Sequence, residues 1–390
     1  MINKDLLEQY DKYLAKTYNR FMLGIVKGKK DLVYDSNGKE YIDMNSGIAV
    51  NTFGINDESW KEAVISQLNK VQHTSNLYYS EPQGQLAQLL CEKSHMKRVF
   101  FSNSGAEANE CAIKTARKYS HDKYGKNRHV IISLVNSFHG RTITTLSATG
   151  QDVFHKDFDP FTPGFVYVEA NNLEAIKEVI KSKEVCGILL EVIQGEGGVI
   201  PLDEHYLQDL SYLCKEEDIL LIIDEIQTGI GRSGKFLSYM HHNLKPDIVT
   251  CAKGLGGGLP IGATLFNKKT EDVLDPGSHG STFGGNPISC AGAINVVERI
   301  DNILLEEVKI KENYIREQLT DSTGIKSVSG KGLMLAVETT KPASEVIAKC
   351  MEKGVLFILA KDKVRMLPPL DISLNNLKIA IDTLKEACKV

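Results

Sequence analysis

The stretch Ile219-Leu-Leu-Ile-Ile-Asp224-Glu225-Ile-Gln227 is five apolar residues in a row ending in two carboxylates. An unbroken apolar run of this length reads as a strand buried on both faces, as in a mostly parallel sheet, rather than one with a wet side. Runs of the same kind lie on either side of it. They are Arg98-Val-Phe-Phe-Ser102, His129-Val-Ile-Ile-Ser133, Gly187-Ile-Leu-Leu-Glu191 and Asp247-Ile-Val-Thr-Cys-Ala252. Amphipathic stretches over 107–119, 173–181 and 204–217 separate them. Strand and helix thus alternate over about 100–270, which predicts an α/β architecture around an open, mostly parallel sheet.

The two ends read differently. Residues 1–48 hold a helix candidate and then a hairpin-like run from Asp31 to Asp43 around Asn37-Gly38. Beyond about 286 the chain is helical and then mixed α+β. The expected division is an N-terminal segment, 1–48, a large α/β domain, 49–285, and a C-terminal part, 286–390. The terminal pieces together would form a smaller domain.

Composition excludes several classes. With 46 Lys+Arg against 50 Asp+Glu, a net charge of −4, the chain has no basic footprint for a nucleic-acid backbone. Uncharged apolar stretches such as Gly354-Val-Leu-Phe-Ile-Leu-Ala360 are far short of the ~20 residues of a spanning helix. The N-terminal MINKDLLEQYDKY has no apolar core of a signal peptide, so a cytoplasmic protein is expected. The eight cysteines are scattered without a C-x-x-C pair, and His241-His242 lack metal-ligand spacing. Reduced thiols and no metal site are the expectation.

In open α/β sheets, ligands collect at the carboxyl ends of the strands, so the residues just beyond each strand carry the chemistry. After Val99-Phe-Phe comes Ser102-Asn-Ser-Gly-Ala-Glu-Ala-Asn-Glu110. Ser104 with Glu107 is a capping-box pattern, so a helix should begin near Gly105. Its free N–H groups suit an anion such as a phosphate, although an ordinary capped helix gives the same pattern. The Asp224-Glu225 pair places a carboxylate in a desolvated position, where it needs a cation from either the protein or a ligand. Lys253 ends another strand beside Gly254-Leu-Gly-Gly-Gly-Leu-Pro260. It is either a phosphate ligand or an imine-forming amine.

Gly229-Ile-Gly-Arg-Ser-Gly234 fits G-x-G-x-x-G and, through Lys235, the start of a P-loop. The P-loop fails because Phe236 stands where a hydroxyl must hold Mg²⁺. The dinucleotide reading fails because Asp224–Thr228 separates the glycines from the strand, and two carboxylates there would repel a pyrophosphate.

Four further clusters are each ambiguous alone: Ser137-Phe-His-Gly-Arg141, Glu191-Val-Ile-Gln-Gly-Glu-Gly-Gly198, Gly280-Ser-Thr-Phe-Gly-Gly-Asn-Pro287 and Val364-Arg365-Met-Leu-Pro-Pro369. Combined with Gly47-Ile-Ala-Val50, His73-Thr-Ser-Asn-Leu-Tyr-Tyr79, Ser104–Glu110 and Asp224–Gly229, they make a specific ordered set. The sequence resembles the class III pyridoxal-phosphate aminotransferases, and within them the acetylornithine aminotransferases, from about residue 18 to 369.

The resemblance implies a fold-type I transferase that uses pyridoxal 5'-phosphate. Lys253 would be the Schiff-base lysine and proton shuttle, and Asp224 the partner of the pyridine nitrogen. Phe138 would stack on the ring and Gln227 would reach its phenolic oxygen. Ser104, Gly105 and Ala106 would hold the phosphate, joined by Ser281 and Thr282. The family takes the threonine from the neighbouring subunit, which implies a homodimer with shared sites. Arg141 would clamp the α-carboxylate. Arg365 would be the second arginine, masked by Glu196 until 2-oxoglutarate enters.

The implied reaction moves the terminal amino group of N2-acetyl-L-ornithine to 2-oxoglutarate, in arginine biosynthesis. Ornithine, succinylornithine, succinyldiaminopimelate and 4-aminobutyrate are the alternative donors within the class. Val192 and Phe283 depart from the family pattern, where many members carry Pro and Tyr, and neither position has a charged role.

Overall fold

A computed structural model describes residues 3–389. Its central sheet has seven strands, in the order Arg98–Ser102, Gly262–Phe266, Ile248–Cys251, Leu220–Asp224, Val185–Leu190, Val130–Leu134 and Phe165–Val168. Leu220–Asp224 runs parallel to both its neighbours. All of its residues are buried, as are all six of Val185–Leu190. The reason is a layer on each face. Leu220 and Ile222 pack with Cys111, Ala112 and Ala116 of the helix Gly105–Tyr124, while Leu221 and Ile223 belong to the main core on the other side. Small residues on the helix let it lie close to the strands, and a strand sandwiched this way has no face left for polar side chains.

Two strands lie outside the expected pattern. Gly262–Phe266 runs antiparallel to both its neighbours, and Phe165–Val168 adds an edge. Gly262–Phe266 follows a glycine-rich loop in a tight return from Ile248–Cys251, so the usual strand–helix–strand spacing that marks a parallel strand is missing. The helix expected over 107–119 begins at Gly105 and runs to Tyr124. Those expected at 173–181 and 204–217 appear as Leu173–Ser182 and Glu204–Glu216.

Both chain ends share a second sheet. Ile25–Lys29, Leu32–Asp35 and Glu40–Asp43 are antiparallel, and Val355–Leu356 adds parallel to Glu40–Asp43. The hairpin turns at Gly38, whose φ of +82° suits glycine, and Asp35 accepts from the N–H groups of Asn37 and Lys39. A third sheet has the order Ile325–Lys331, Met334–Thr339, Lys363–Met366 and Ile358–Ala360. Among the described residues no helix is long and apolar enough to cross a membrane.

Candidate active site

The carboxyl ends of the central strands open into a cavity of about 460 Å³. Ser104, Gly105, Ala106, Phe138, Arg141, Glu196, Asp224, Gln227 and Lys253 all line it. These residues are spread between positions 104 and 253 of the sequence, and the sheet brings them together.

Asp224, the last residue of its strand, is 3% exposed. Its Oδ2 accepts from Asn109 Nδ2 at 2.8 Å and lies 2.8 Å from His139 Nδ1, and its Oδ1 accepts from the N–H of Ile226. The carboxylate fixes the proton of His139 on Nδ1, and the other ring nitrogen, Nε2, is buried without a partner among the described residues. Asn109 is itself held by Thr250 Oγ1 and by donation to the carbonyl of His139. The sequence alone does not single out His139 or Asn109 as site residues. His139 stands inside one of the polar clusters, but nothing in one sequence tells which carboxylate it meets.

Lys253 follows the strand Ile248–Cys251 with φ +46°, a strained backbone for a residue with a side chain. It is half-buried at the cavity wall, and among the described residues its amine has no hydrogen-bond or ion-pair partner. Desolvation lowers its pKa, opposed by the charge of Glu196 and reinforced by that of Arg365. A free amine nudged toward its neutral form is what a nucleophilic lysine needs.

The helix Gly105–Tyr124 starts where the capping box puts it. Ser104 Oγ accepts from the Glu107 N–H at 3.2 Å, and Glu107 reaches back to the N–H of Asn103. Its first turn faces the cavity. A Cβ on Gly105 would come within 2.7 Å of the Ile226 side chain, which would have to shift to admit one.

Opposite lies a polar cluster that sequence spacing could not assemble. Arg365, 3% exposed on the third sheet, donates Nη1 to Glu196 Oε1 at 2.6 Å and Nη2 to Glu196 Oε2 at 3.3 Å. Gln227 joins both: its Oε1 accepts from Arg365 at 3.1 Å and its Nε2 donates to Glu196 at 3.2 Å. Burial alone would raise the Glu196 pKa, but Arg365 outweighs it and holds the carboxyl below its ordinary value. Arg365 lies just behind the cavity lining, in contact with the lining residues Glu196 and Gln227. Arg141 is exposed at the mouth, its guanidinium 4.1 Å from the ring centre of Phe154 and 5.5 Å from that of Phe138.

Glu191 is another residue to which the sequence alone assigns no role. It is buried, accepts from the N–H groups of Phe138 and Gly195 at 2.9 Å each, and burial pushes its pKa up to about 7. Ser281 and Thr282 do not line this cavity. Ser281 Oγ accepts from Asn103 Nδ2 and the Gly284 N–H, and Thr282 and Phe283 face outward.

A cluster of free lysine, buried carboxylate, aromatic wall and open helix start fits a phosphorylated pyridine aldehyde in its chemistry. Comparison with known proteins decides the family: the class-III aminotransferase family model matches residues 13–388. The chain belongs to the class III aminotransferases. Within that family it is 53% identical to the acetylornithine aminotransferase of Haemophilus ducreyi, over 99% of each chain. It is 47% identical to that of Aquifex aeolicus, over 96% of this chain and 99% of the relative. Among solved structures, an ornithine aminotransferase from Toxoplasma gondii with PLP at partial occupancy in its active site superposes with a TM-score of 0.94. It is 32% identical and covers 99% of this chain and 94% of its own. The N-acetylornithine aminotransferase of Stenotrophomonas maltophilia gives 0.85 at 32% identity, over 98% of each chain.

Proposed function

We propose that this enzyme transfers the terminal amino group of N2-acetyl-L-ornithine to 2-oxoglutarate, giving N-acetylglutamate 5-semialdehyde and glutamate, as a step of arginine biosynthesis. The observation that carries the substrate reading is the bidentate Glu196–Arg365 pair at the cavity wall. With its guanidinium neutralised, the pocket offers an α-carboxylate only Arg141. A donor must then present its terminal amine to Lys253. Identities of 53% and 47% to acetylornithine aminotransferases support the acetylated donor. The 0.94 superposition on an ornithine aminotransferase reflects a backbone shared across the class at 32% identity and does not discriminate donors.

Pyridoxal phosphate, when bound, supplies the electron sink and carries the amino group between the two half-reactions. Lys253 would hold its aldehyde, Asp224 would serve its ring nitrogen and Phe138 would flank its ring. Gln227 would reach its phenolic oxygen. Ser104 and the N–H groups of Gly105 and Ala106 would receive the phosphate. Lys253 would also move the proton at the donor's terminal carbon, helped by the desolvation that lowers its pKa. Arg141 fixes the donor's α-carboxylate through a planar, bidentate contact. When 2-oxoglutarate enters, Glu196 leaves Arg365, which then holds the second carboxylate.

Ser281, bonded to Asn103 at the cavity edge, and Thr282 do not line their own cavity, and Thr282 lies on a surface with exposed Phe283. That supports a homodimer in which each copy lends them to the other's phosphate. The eight cysteines are all unpaired thiols, which supports a reducing, cytoplasmic setting. The sheet shared by both chain ends supports a small domain of 1–48 with 286–390 against a large one of 49–285.

Steady-state kcat/KM for acetylornithine, ornithine and 4-aminobutyrate, each with 2-oxoglutarate, tests the donor. Acetylornithine should lead. A tenfold preference for free ornithine would overturn the assignment.

A further inference from the structure

The glycine motif Gly229–Gly234 has no place in the phosphate site, yet its arginine is one of the most buried cations of the chain. Gly231 and Gly234, at φ +83° and +85°, fold the motif into a turn that points Arg232 inward, where it is 3% exposed. Its Nη1 donates to the carbonyls of Leu333 at 3.1 Å and Pro368 at 2.5 Å. In return its own carbonyl accepts from the Leu333 N–H at 2.9 Å. A Cβ on Gly332 would lie 2.4 Å from that carbonyl, so the two turns touch backbone to backbone. Burial lowers the guanidinium's pKa with no charged group opposing it.

Leu333 and Pro368 bracket the strand pair that carries Arg365. Leu333 immediately precedes Met334–Thr339, and Pro368 follows Lys363–Met366 by two residues. In that antiparallel pair Ala336 stands opposite Arg365. A second buried cation grips the same exit: Lys311, 4% exposed, donates to the Leu370 carbonyl at 2.7 Å. The Leu370 N–H then donates to the Thr52 carbonyl, and Thr52 Oγ1 donates to the carbonyl of Gly254, next to Lys253. Hydrogen bonds therefore link the loop that follows the strand of Arg365 to the residue next to the lysine.

A buried cation satisfied mainly by carbonyl dipoles is a costly way to pack an interface, since an apolar side chain would fill the space without desolvating a charge. Arg232 is such a cation, and Lys311, which also pairs with Glu307 at 3.5 Å, converges with it on one short loop, Leu367–Leu370. We propose that Arg232 and Lys311 are positioning residues that fix the spacing between Arg365 and Lys253, so that the enzyme measures the length of a dicarboxylate acceptor. The proposal rests on the reading of Arg365 as the arginine for the acceptor's second carboxylate.

The two half-reactions, followed separately by cofactor absorbance in the holoenzyme, test it. Arg232→Met should weaken the half-reaction with glutamate or 2-oxoglutarate by about 10- to 100-fold, chiefly in KM, the scale expected for a displacement near 1 Å. The half-reaction with acetylornithine should stay within threefold, and Arg232→Lys should recover part of the loss. If Arg232→Met does not fold, Arg232→Lys and Lys311→Met should each show a smaller loss confined to the dicarboxylate side. Equal losses in both half-reactions, or none, would mark the cations as merely structural and overturn the proposal. Arg365→Gln run in parallel separates the two roles. A dicarboxylate loss there with none in the clamp variants overturns the clamp alone. No loss in Arg365→Gln overturns the role of Arg365 and the proposal with it.

Discussion

The two ends of the cavity are built in opposite ways. At the lysine end, Asp224, Asn109, His139 and Thr250 belong to the central sheet, the helix packed on it and the loops at its edge, and they bond one another at 2.8 Å. At the arginine end, Glu196 stands in the turn between the short strands Ile193–Gln194 and Ile200–Pro201 and Arg365 on the third sheet, 169 residues apart in the chain. The side chains differ too: Arg365 is 3% exposed and Glu196 28%. The first arrangement has no member that can leave without exposing a buried charge. The second has one, because Glu196 already touches solvent and Gln227 continues to hold Arg365 when it goes. The constant chemistry thus sits on one sheet and its helix, while the pair proposed to answer to the second substrate joins a turn to another sheet.

The largest effect expected from this contrast is at the rigid end. Lys253→Ala should lower transamination by about four orders of magnitude, since nucleophile and proton carrier vanish together. Its ligand-free melting temperature should stay near wild type, because the amine has no partner to lose. Borohydride should no longer fix cofactor to the protein, and a retained adduct would mean the wrong lysine.

At the movable end the change should appear in specificity. Glu196→Ala leaves Arg365 free in both half-reactions, so glutamate should improve as a donor relative to acetylornithine by roughly ten- to a thousand-fold. Half-reactions measured one donor at a time show it. Rates within twofold of wild type for both donors would mean that the cluster is static and the contrast between the two ends is wrong.

The smallest effect concerns Glu191, which accepts from the N–H groups of Phe138 at one end and Gly195 at the other. Its folded pKa, about 7, lies above its ordinary value because burial disfavours the charge. The folded state therefore holds the proton more tightly than the unfolded one. The stability this gives is fully present below the unfolded pKa and is lost as pH rises toward 7. Urea unfolding of the ligand-free protein at several pH values should show that decline, and Glu191→Gln should flatten it. An unchanged slope in the variant would assign the titration to another group.

Much of this molecule is legible one residue at a time. Continuous apolar runs place the central strands because a strand covered on both faces has no polar side. Ser104 and Glu107 locate the start of the helix because capping is a local contact. The strand ends at Asp224 and Lys253 point to one cleft because open α/β sheets gather ligands there. The antiparallel Gly262–Phe266 escapes such a reading because a short return strand has no helix to announce it.

The sequence by itself determined which segments are buried, where the first turn of the Gly105–Tyr124 helix lies and which strand ends carry reactive groups. Those depend on periodicity, capping and side-chain chemistry within a few neighbouring residues. Only the tertiary structure decided that His139 and Asn109 serve Asp224, that Gln227 joins Glu196 and Arg365, and that Arg232 turns away from any phosphate toward Leu333 and Pro368. A hydrogen-bond partner is chosen by which elements the whole core presses together, and residues far apart in the chain leave no local mark of that choice.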